Sequence, residues 1–338
     1  MQNKKQIIRN AIIFLLLIAV TFVLVFKNHN LEKTIDLMLK VDYRYIIFAI
    51  IAMFLNITFE SINVRQILSS LGKKTTLIKS IKYTFIGFFF SGITPGGGGG
   101  QPMEIYYMKK ERIPANSSTL ALLIETCSFH IITIILGIIG LILNTNLLVE
   151  GFIWIFIIGS FFKIVLLAVM LIGIFSPKLS SVIAEFIISV LNKFNYKNTD
   201  KITEEINDFL KQYHEGSMFI KKHKTVLLKS LAIVFFQVVA NYSITYFVYR
   251  SFGLNEYSFI AIIFIQALLF VSTSSIPLPG AVGISESAFL KIYITVFGVE
   301  RVASAMLLSR GVSFYLFMII SLFVVIYNTI KRKKVTQK

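Results

Sequence analysis

The chain has 338 residues, 56% of them hydrophobic, and a mean hydropathy of +0.76, against an apolar share of about 45–50% in ordinary soluble domains. Its single cysteine, Cys127, excludes an intramolecular disulfide framework and a cysteine-based metal site. The net charge of +17 would suggest nucleic acid in a soluble protein, but in a membrane protein it first asks which side of the bilayer the charge occupies, and nucleic acid is not expected as a partner.

A helix needs about 20 apolar residues to cross the hydrocarbon. Residues 7–26 form the first such run, too long for a signal-peptide core and without a small-residue cleavage site, so it is expected to be retained. Residues 43–64 form the second predicted span. The next apolar stretch, 83–112, is interrupted by Pro95 and the five glycines Gly96 to Gly100. Glycine does not hold a helix there, and lipid offers the freed backbone groups no partner, so they must face protein or a water-filled cavity. Basic residues flank it on both sides, Lys79 and Lys82 before, Lys109, Lys110 and Arg112 after, which predicts a hairpin that enters from one side and returns to it.

Predicted spans follow at 117–143 and 152–175. Residues 176–224 are more polar but keep helical periodicity, with Leu179, Val182, Ile183, Phe186, Ile187 and Val190 on one face and Ile202, Ile206, Phe209, Leu210 and Tyr213 on another after a break at 195–200. Two amphipathic helices on the membrane surface, or a helical hairpin packed beneath the bundle, fit equally. His214 and His223 in this stretch have no third ligand nearby, so no metal is expected. A span at 226–249 precedes a second broken stretch, 259–298, cut by Pro277, Pro279, Gly280 and Gly283. The last span is 302–330, and a basic tail, 331–338, follows.

Placing both termini in the cytoplasm puts there Lys4, Lys5, Arg9, Arg65, Lys73, Lys74, the basic flanks of the first broken stretch, the lysines of 176–224 and the tail. Lys27, Lys33, Lys40 and Arg250 are left on the other side. That one-sided bias sets the orientation. The fold class is therefore an all-α polytopic membrane protein with six full transmembrane helices and two Gly/Pro-broken re-entrant hairpins, eight spans if each hairpin counts once, built as one transmembrane domain over 1–330. The two hairpins enter from opposite sides, which predicts an inverted repeat with a site near the midplane. The plainer alternative is that the glycines permit close packing or a hinge.

Charges inside apolar spans are costly and face the bundle interior. Glu60, Glu125, His130, Lys163, Lys291 and Arg310 qualify, with Asn56, Asn63, Gln237 and Asn241 as weaker candidates. Arg310 suits a phosphate, or else an ion pair with Glu125 or Glu286. Glu104 and Glu286 follow the Pro-Gly breaks and fit first-turn positions of half-helices starting near Met103 and Ser285.

The stretch Thr94-Pro95 into Gly99-Gly100-Gln101-Pro102 and Ile105 to Lys109, together with Pro277-Leu278-Pro279-Gly280, Gly283 and Glu286, resembles the lysylphosphatidylglycerol synthase transmembrane region, or flippase-like, family over nearly the whole chain. In the longer members this region precedes a soluble domain that transfers lysine from aminoacyl-tRNA to phosphatidylglycerol. The chain ends eight residues after Ile330, so the resemblance is to the stand-alone membrane part. It implies a bacterial cytoplasmic-membrane translocase for an anionic or aminoacylated phospholipid such as lysyl-phosphatidylglycerol, linked to cationic peptide resistance, with no cofactor. A scaffold for a separate aminoacyltransferase, or the lysyltransferase itself, is the alternative. The residues carried over as substrate-binding are Gly99, Gly100, Gln101, Glu104, Glu125, Pro279, Gly280, Gly283, Glu286 and Arg310. Gln101 stands where many relatives have an acidic residue, and Gly96 to Gly98 offer no side chains to a ligand.

Overall fold

The structure, a computed structural model, describes residues 30–143, 152–193, 199–274 and 279–336, together with the isolated helical positions Ile12, Leu16, Ala19 and Val23. The expected span at 7–26 therefore lies largely outside the described residues. All regular structure among those described is helical. A short amphipathic helix, α1 (Leu31–Leu39), is capped by Asn30, whose side chain accepts from the Lys33 amide. Then follow α2 (Tyr43–Ser70), α3 (Leu77–Ile93), a tight turn at Pro95–Gly97, α4 (Gly100–Lys110), α5 (Ala115–Leu143) and α6 (Phe152–Phe175). The second half comprises α7 (Pro177–Lys193), α8 (Thr199–Lys222), α9 (Lys224–Ser251), α10 (Phe259–Thr273), a turn at Pro279–Ala281, α11 (Ile284–Phe297), α12 (Val302–Arg310), a wide π turn at Gly311–Leu316 and α13 (Phe317–Thr336).

Five described helical segments are long and apolar enough to cross a membrane: Tyr43–Ser70, Ala115–Leu143, Phe156–Phe175, Lys224–Ser251 and Val302–Ile330. They match the last five of the six spans expected. Their outward faces carry Phe54, Phe161, Phe162, Phe236 and Phe323, all exposed. That distribution suits lipid rather than water as the surrounding solvent.

The most extensive packing is α2 against α9, and α5 and α10 close around that pair. Cross-chain bonds define two ends of the bundle. At one end Lys79, Lys82 and Tyr83 all bind Glu111, Arg65 donates to the Thr75 carbonyl, and Asn116 donates to Gln212. At the other, Lys33 pairs with Glu300, the Asp42 amide donates to the Ser251 carbonyl, and the Tyr257 amide donates to the Tyr249 hydroxyl. The start of α3 and the end of α4 thus lie together at the first end, and the start of α10 and the end of α11 lie together at the second. A helix of 15 residues such as α10 spans about 22 Å, short of the roughly 30 Å of a hydrocarbon core. The two turns that break these hairpins pack against each other, with Pro95, Gly96 and Gly98 of the first left exposed.

Of the two helices in 176–224, α8 packs on the bundle, and α7 lies against α6 and α8. α8 lies against α5, α6 and α9; Tyr213 and Ile220 are buried in the main core; and Gly216 lets α8 approach Leu120 of α5. The expected break at 195–200 falls mainly on residues outside those described.

Candidate functional site

The glycine run after α3 divides by position into three structural demands. Gly96 and Gly97 take positive φ, 59° and 73°, which any other L-residue adopts only with strain. Gly99 and Gly100 sit under α3: a Cβ on Gly99 would lie 3.2 Å from the Phe90 carbonyl oxygen, and one on Gly100 2.8 Å from that of Gly87. Gly98 has ordinary helical angles and space around it. The break is tied by Thr94, whose hydroxyl donates to the Phe90 carbonyl at 2.6 Å and accepts the Gly99 amide at 2.8 Å.

This close approach lays α4 on α3. Gly87, with no side chain, leaves the space that the Glu104 carboxyl fills. Glu104 is thus buried, 5% exposed, and is the fifth residue of α4, because the helix starts at Gly100 rather than near Met103. It does not cap the first turn, contrary to the expectation from spacing. Glu60 of α2, Glu104 of α4 and Glu125 of α5 lie within electrostatic reach of one another. Glu125 is buried and Glu60 half-buried. From α9, the buried Gln237 donates to Glu60 Oε2 at 3.5 Å. Gln101 donates to the Thr126 hydroxyl at 2.6 Å, and that hydroxyl donates to Glu125 Oε2 at 3.3 Å. Glu104 Oε2 and Gln237 Oε1 are buried with no hydrogen-bond partner. What remains unsatisfied is therefore acceptor capacity, and a donor-bearing or cationic group would satisfy it. Among the described residues no group of His, Cys, Asp and Glu has the arrangement of a metal site.

A second cluster holds the other break. Arg310, at the end of α12, donates from Nε to Glu286 Oε1 and from Nη2 to the Gly280 carbonyl, each at 2.8 Å, with its guanidinium 4.7 Å from the Phe314 ring centroid. Glu286 is in the first turn of α11, as expected, and its Oε2 accepts the Gly283 amide at 2.6 Å. Of the two carboxylates weighed as partners for Arg310, the structure pairs it with Glu286. The Pro279 side chain, Pro277 and Leu278 lie outside the described residues.

Phe314, in the π turn, lies between the two breaks. It packs on Phe88 of α3 at 6.2 Å, a Cβ on Gly280 would strike its ring, and one on Gly92 would come within 3.3 Å of it. Such π turns within helices recur at functional sites. Of the ten residues singled out from sequence, Gln101, Glu104 and Glu125 fall in the first cluster, Gly280, Gly283, Glu286 and Arg310 in the second, and Gly99 and Gly100 in the turn that lays α4 on α3. Glu60 and Gln237, ranked below them, complete the first, whereas Lys291 is exposed. Phe314 carried no sequence signal, since it is one aromatic residue in an apolar run.

The family profile described as "Lysylphosphatidylglycerol synthase TM region" matches residues 7–321. The chain belongs to this family. It is also 25% identical over 315 residues to a UPF0104 membrane protein of Pyrococcus horikoshii, covering 89% of this chain and 92% of the relative. A UPF0104 membrane protein of Archaeoglobus fulgidus is 22% identical over 293 residues, covering 82% and 84%. The matched range of the family includes both broken stretches and the residues of both clusters.

Proposed function

We propose that the protein is a phospholipid translocase in which a polar headgroup passes through the bundle interior while the acyl tails stay in lipid. The observation that carries this reading is the placement of an acceptor-rich buried cluster, Glu60, Glu104, Glu125 and Gln237, beside the point where two broken hairpins from opposite ends of the bundle meet. In a membrane those hairpins are re-entrant and form an inverted repeat, the arrangement that places transporter sites at the midplane. Glu104 Oε2 and Gln237 Oε1 would accept from the amine of an aminoacylated phospholipid such as lysyl-phosphatidylglycerol, and Glu60 and Glu125 would neutralise its charge. Arg310 holds the second hairpin through Glu286 and the Gly280 carbonyl, so its role in this reading is to set the shape of the passage. The chain would sit in a bacterial cytoplasmic membrane with both termini inside, and moving an amine-bearing lipid outward would lower the surface's attraction for cationic peptides.

The test is lipid movement in proteoliposomes containing only this purified chain, with labelled aminoacyl-phosphatidylglycerol and a neutral phospholipid control. Selective transfer that Glu104→Gln reduces supports the translocase. Transfer of no lipid overturns it in favour of a membrane scaffold for a separate aminoacyltransferase, the function class that the family description also accommodates.

A further inference from the structure

Lys163 is the twelfth of the 24 residues of α6, a helix whose only other side chain with a polar head, apart from Trp154, is Ser160. It does not reach out to either end of the span. It is 3% exposed, and its ammonium lies 4.6 Å from the ring centroid of Phe270 on α10. Among the described residues no hydrogen bond or ion pair engages it. A buried cation without an anion is unfavourable, because the ring face replaces only part of the hydration it has lost.

Further orphaned groups lie near Lys163, one of them packed on the same ring. Phe129 of α5 packs on Phe270 at 5.6 Å and contacts the neighbouring His130, whose buried Nδ1 has no partner and whose ring interacts electrostatically with Lys163. Tyr242 of α9 packs on Phe270 at 5.9 Å with its hydroxyl buried and unpartnered. Ser160 Oγ, also unpartnered, lies one turn before Lys163 on α6. Lysine, tyrosine and serine supply donors, and a histidine ring nitrogen can donate as well.

The buried carboxylates do not complement this group. Glu125 is five residues before His130 on α5, a rotation of roughly 140° around the helix, and it faces the cluster with Glu60 and Glu104. Glu286 is engaged by Arg310. Two chemically opposite sites therefore lie on different faces of α5: one rich in acceptors, the other in donors.

We propose that Lys163, His130, Tyr242 and Ser160 form an oxyanion seat that receives the phosphate of a membrane lipid. Phe270 lies three residues before the end of α10, so the seat borders the second hairpin break. The proposal rests on the translocase reading for its purpose: the carboxylate cluster takes the amine of the headgroup and the Lys163 seat takes its phosphate.

Binding can be measured apart from movement. Wild type, Lys163→Arg, Lys163→Met and Tyr242→Phe are purified in detergent, checked for monodispersity and helix content, and incubated with an equimolar mixture of phosphatidylglycerol and diacylglycerol. Retained lipid is read by native mass spectrometry, and inorganic phosphate is titrated in a parallel arm. The expected result is retention of phosphatidylglycerol by wild type and Lys163→Arg, a fall of about tenfold in Lys163→Met and a smaller fall in Tyr242→Phe, as loss of charge-assisted hydrogen bonds implies. Competition by inorganic phosphate without lipid retention would assign the seat to the free anion and overturn the lipid claim. Equal retention by well-folded Lys163→Met, or equal binding of diacylglycerol by wild type, would overturn the seat itself. Should Lys163→Met fail to fold, undiminished retention in Tyr242→Phe and Ser160→Ala would do the same. Lys163-dependent retention in a protein that moves no lipid would leave the seat standing and remove the translocase.

Discussion

The guanidinium of Arg310 on α12 and the carboxylate of Glu286 on α11 are joined at 2.8 Å, and the second oxygen of Glu286 holds the Gly283 amide at the start of its own helix. One ion pair thereby fixes the entry to α11 and, through the Gly280 carbonyl, the turn before it. Glu286 is 1% exposed, so removing Arg310 leaves an uncompensated buried charge.

Arg310→Met should therefore cost about 3 kcal/mol of stability, the lower part of the range for a broken buried pair because the arginine side chain keeps 18% exposure. Thermal unfolding in detergent checks this. Arg310→Met combined with Glu286→Met should recover most of the loss; a double variant as unstable as the sum of the singles would contradict the pairing.

The glycines of the first break should respond unequally to alanine. Gly98→Ala is expected to be neutral within about 0.5 kcal/mol, since the site is open and helical. Gly97→Ala should cost about 1–2 kcal/mol from its positive φ, and Gly100→Ala about 1–3 kcal/mol from overlap with α3. Melting temperatures of the three variants decide it, and equal shifts would remove the positional account.

Glu60→Gln should leave stability unchanged or raise it by about 1 kcal/mol, because it relieves repulsion among three carboxylates. Transfer of an aminoacylated lipid should fall in the same variant. A variant both stable and fully active would take Glu60 out of the site.

At the bundle end, burial pushes the Glu111 carboxyl up, but hydrogen bonds from Lys82, Tyr83 and Lys79 outweigh it and hold the group below its ordinary value. A depressed carboxyl contributes stability that is present above the unfolded value of about 4.3 and is lost as pH falls through the folded one. Glu111→Gln should thus lower stability by about 1 kcal/mol or less at pH 7, since the group is partly solvated. The difference should close as the pH is lowered below the carboxylate range, which paired melting curves at several pH values would reveal.

Cys127 is buried and should resist a membrane-impermeant maleimide. That makes introduced cysteines clean reporters of sidedness. Lys110→Cys should label from the cytoplasmic face and Glu300→Cys from the opposite one; labelling of both from one face would exclude hairpins entering from opposite sides.

Much of the architecture was legible in the chain. The lengths of apolar runs located all five described spans because the bilayer imposes a length on any helix that crosses it. Pro95 with its glycines and Pro279 with Gly280 located both breaks because backbone conformation there is set by the residues themselves. Pairing was not legible. In a span that is apolar on nearly every side, periodicity gives no face, so neither the meeting of Glu60, Glu104 and Glu125 nor the choice of Glu286 as partner to Arg310 followed from spacing. Those contacts depend on how each helix is rotated and how far it slides against its neighbours. Side-chain packing fixes both quantities, through Gly87 under Glu104 and Phe314 between the two breaks, and only the assembled bundle contains that information.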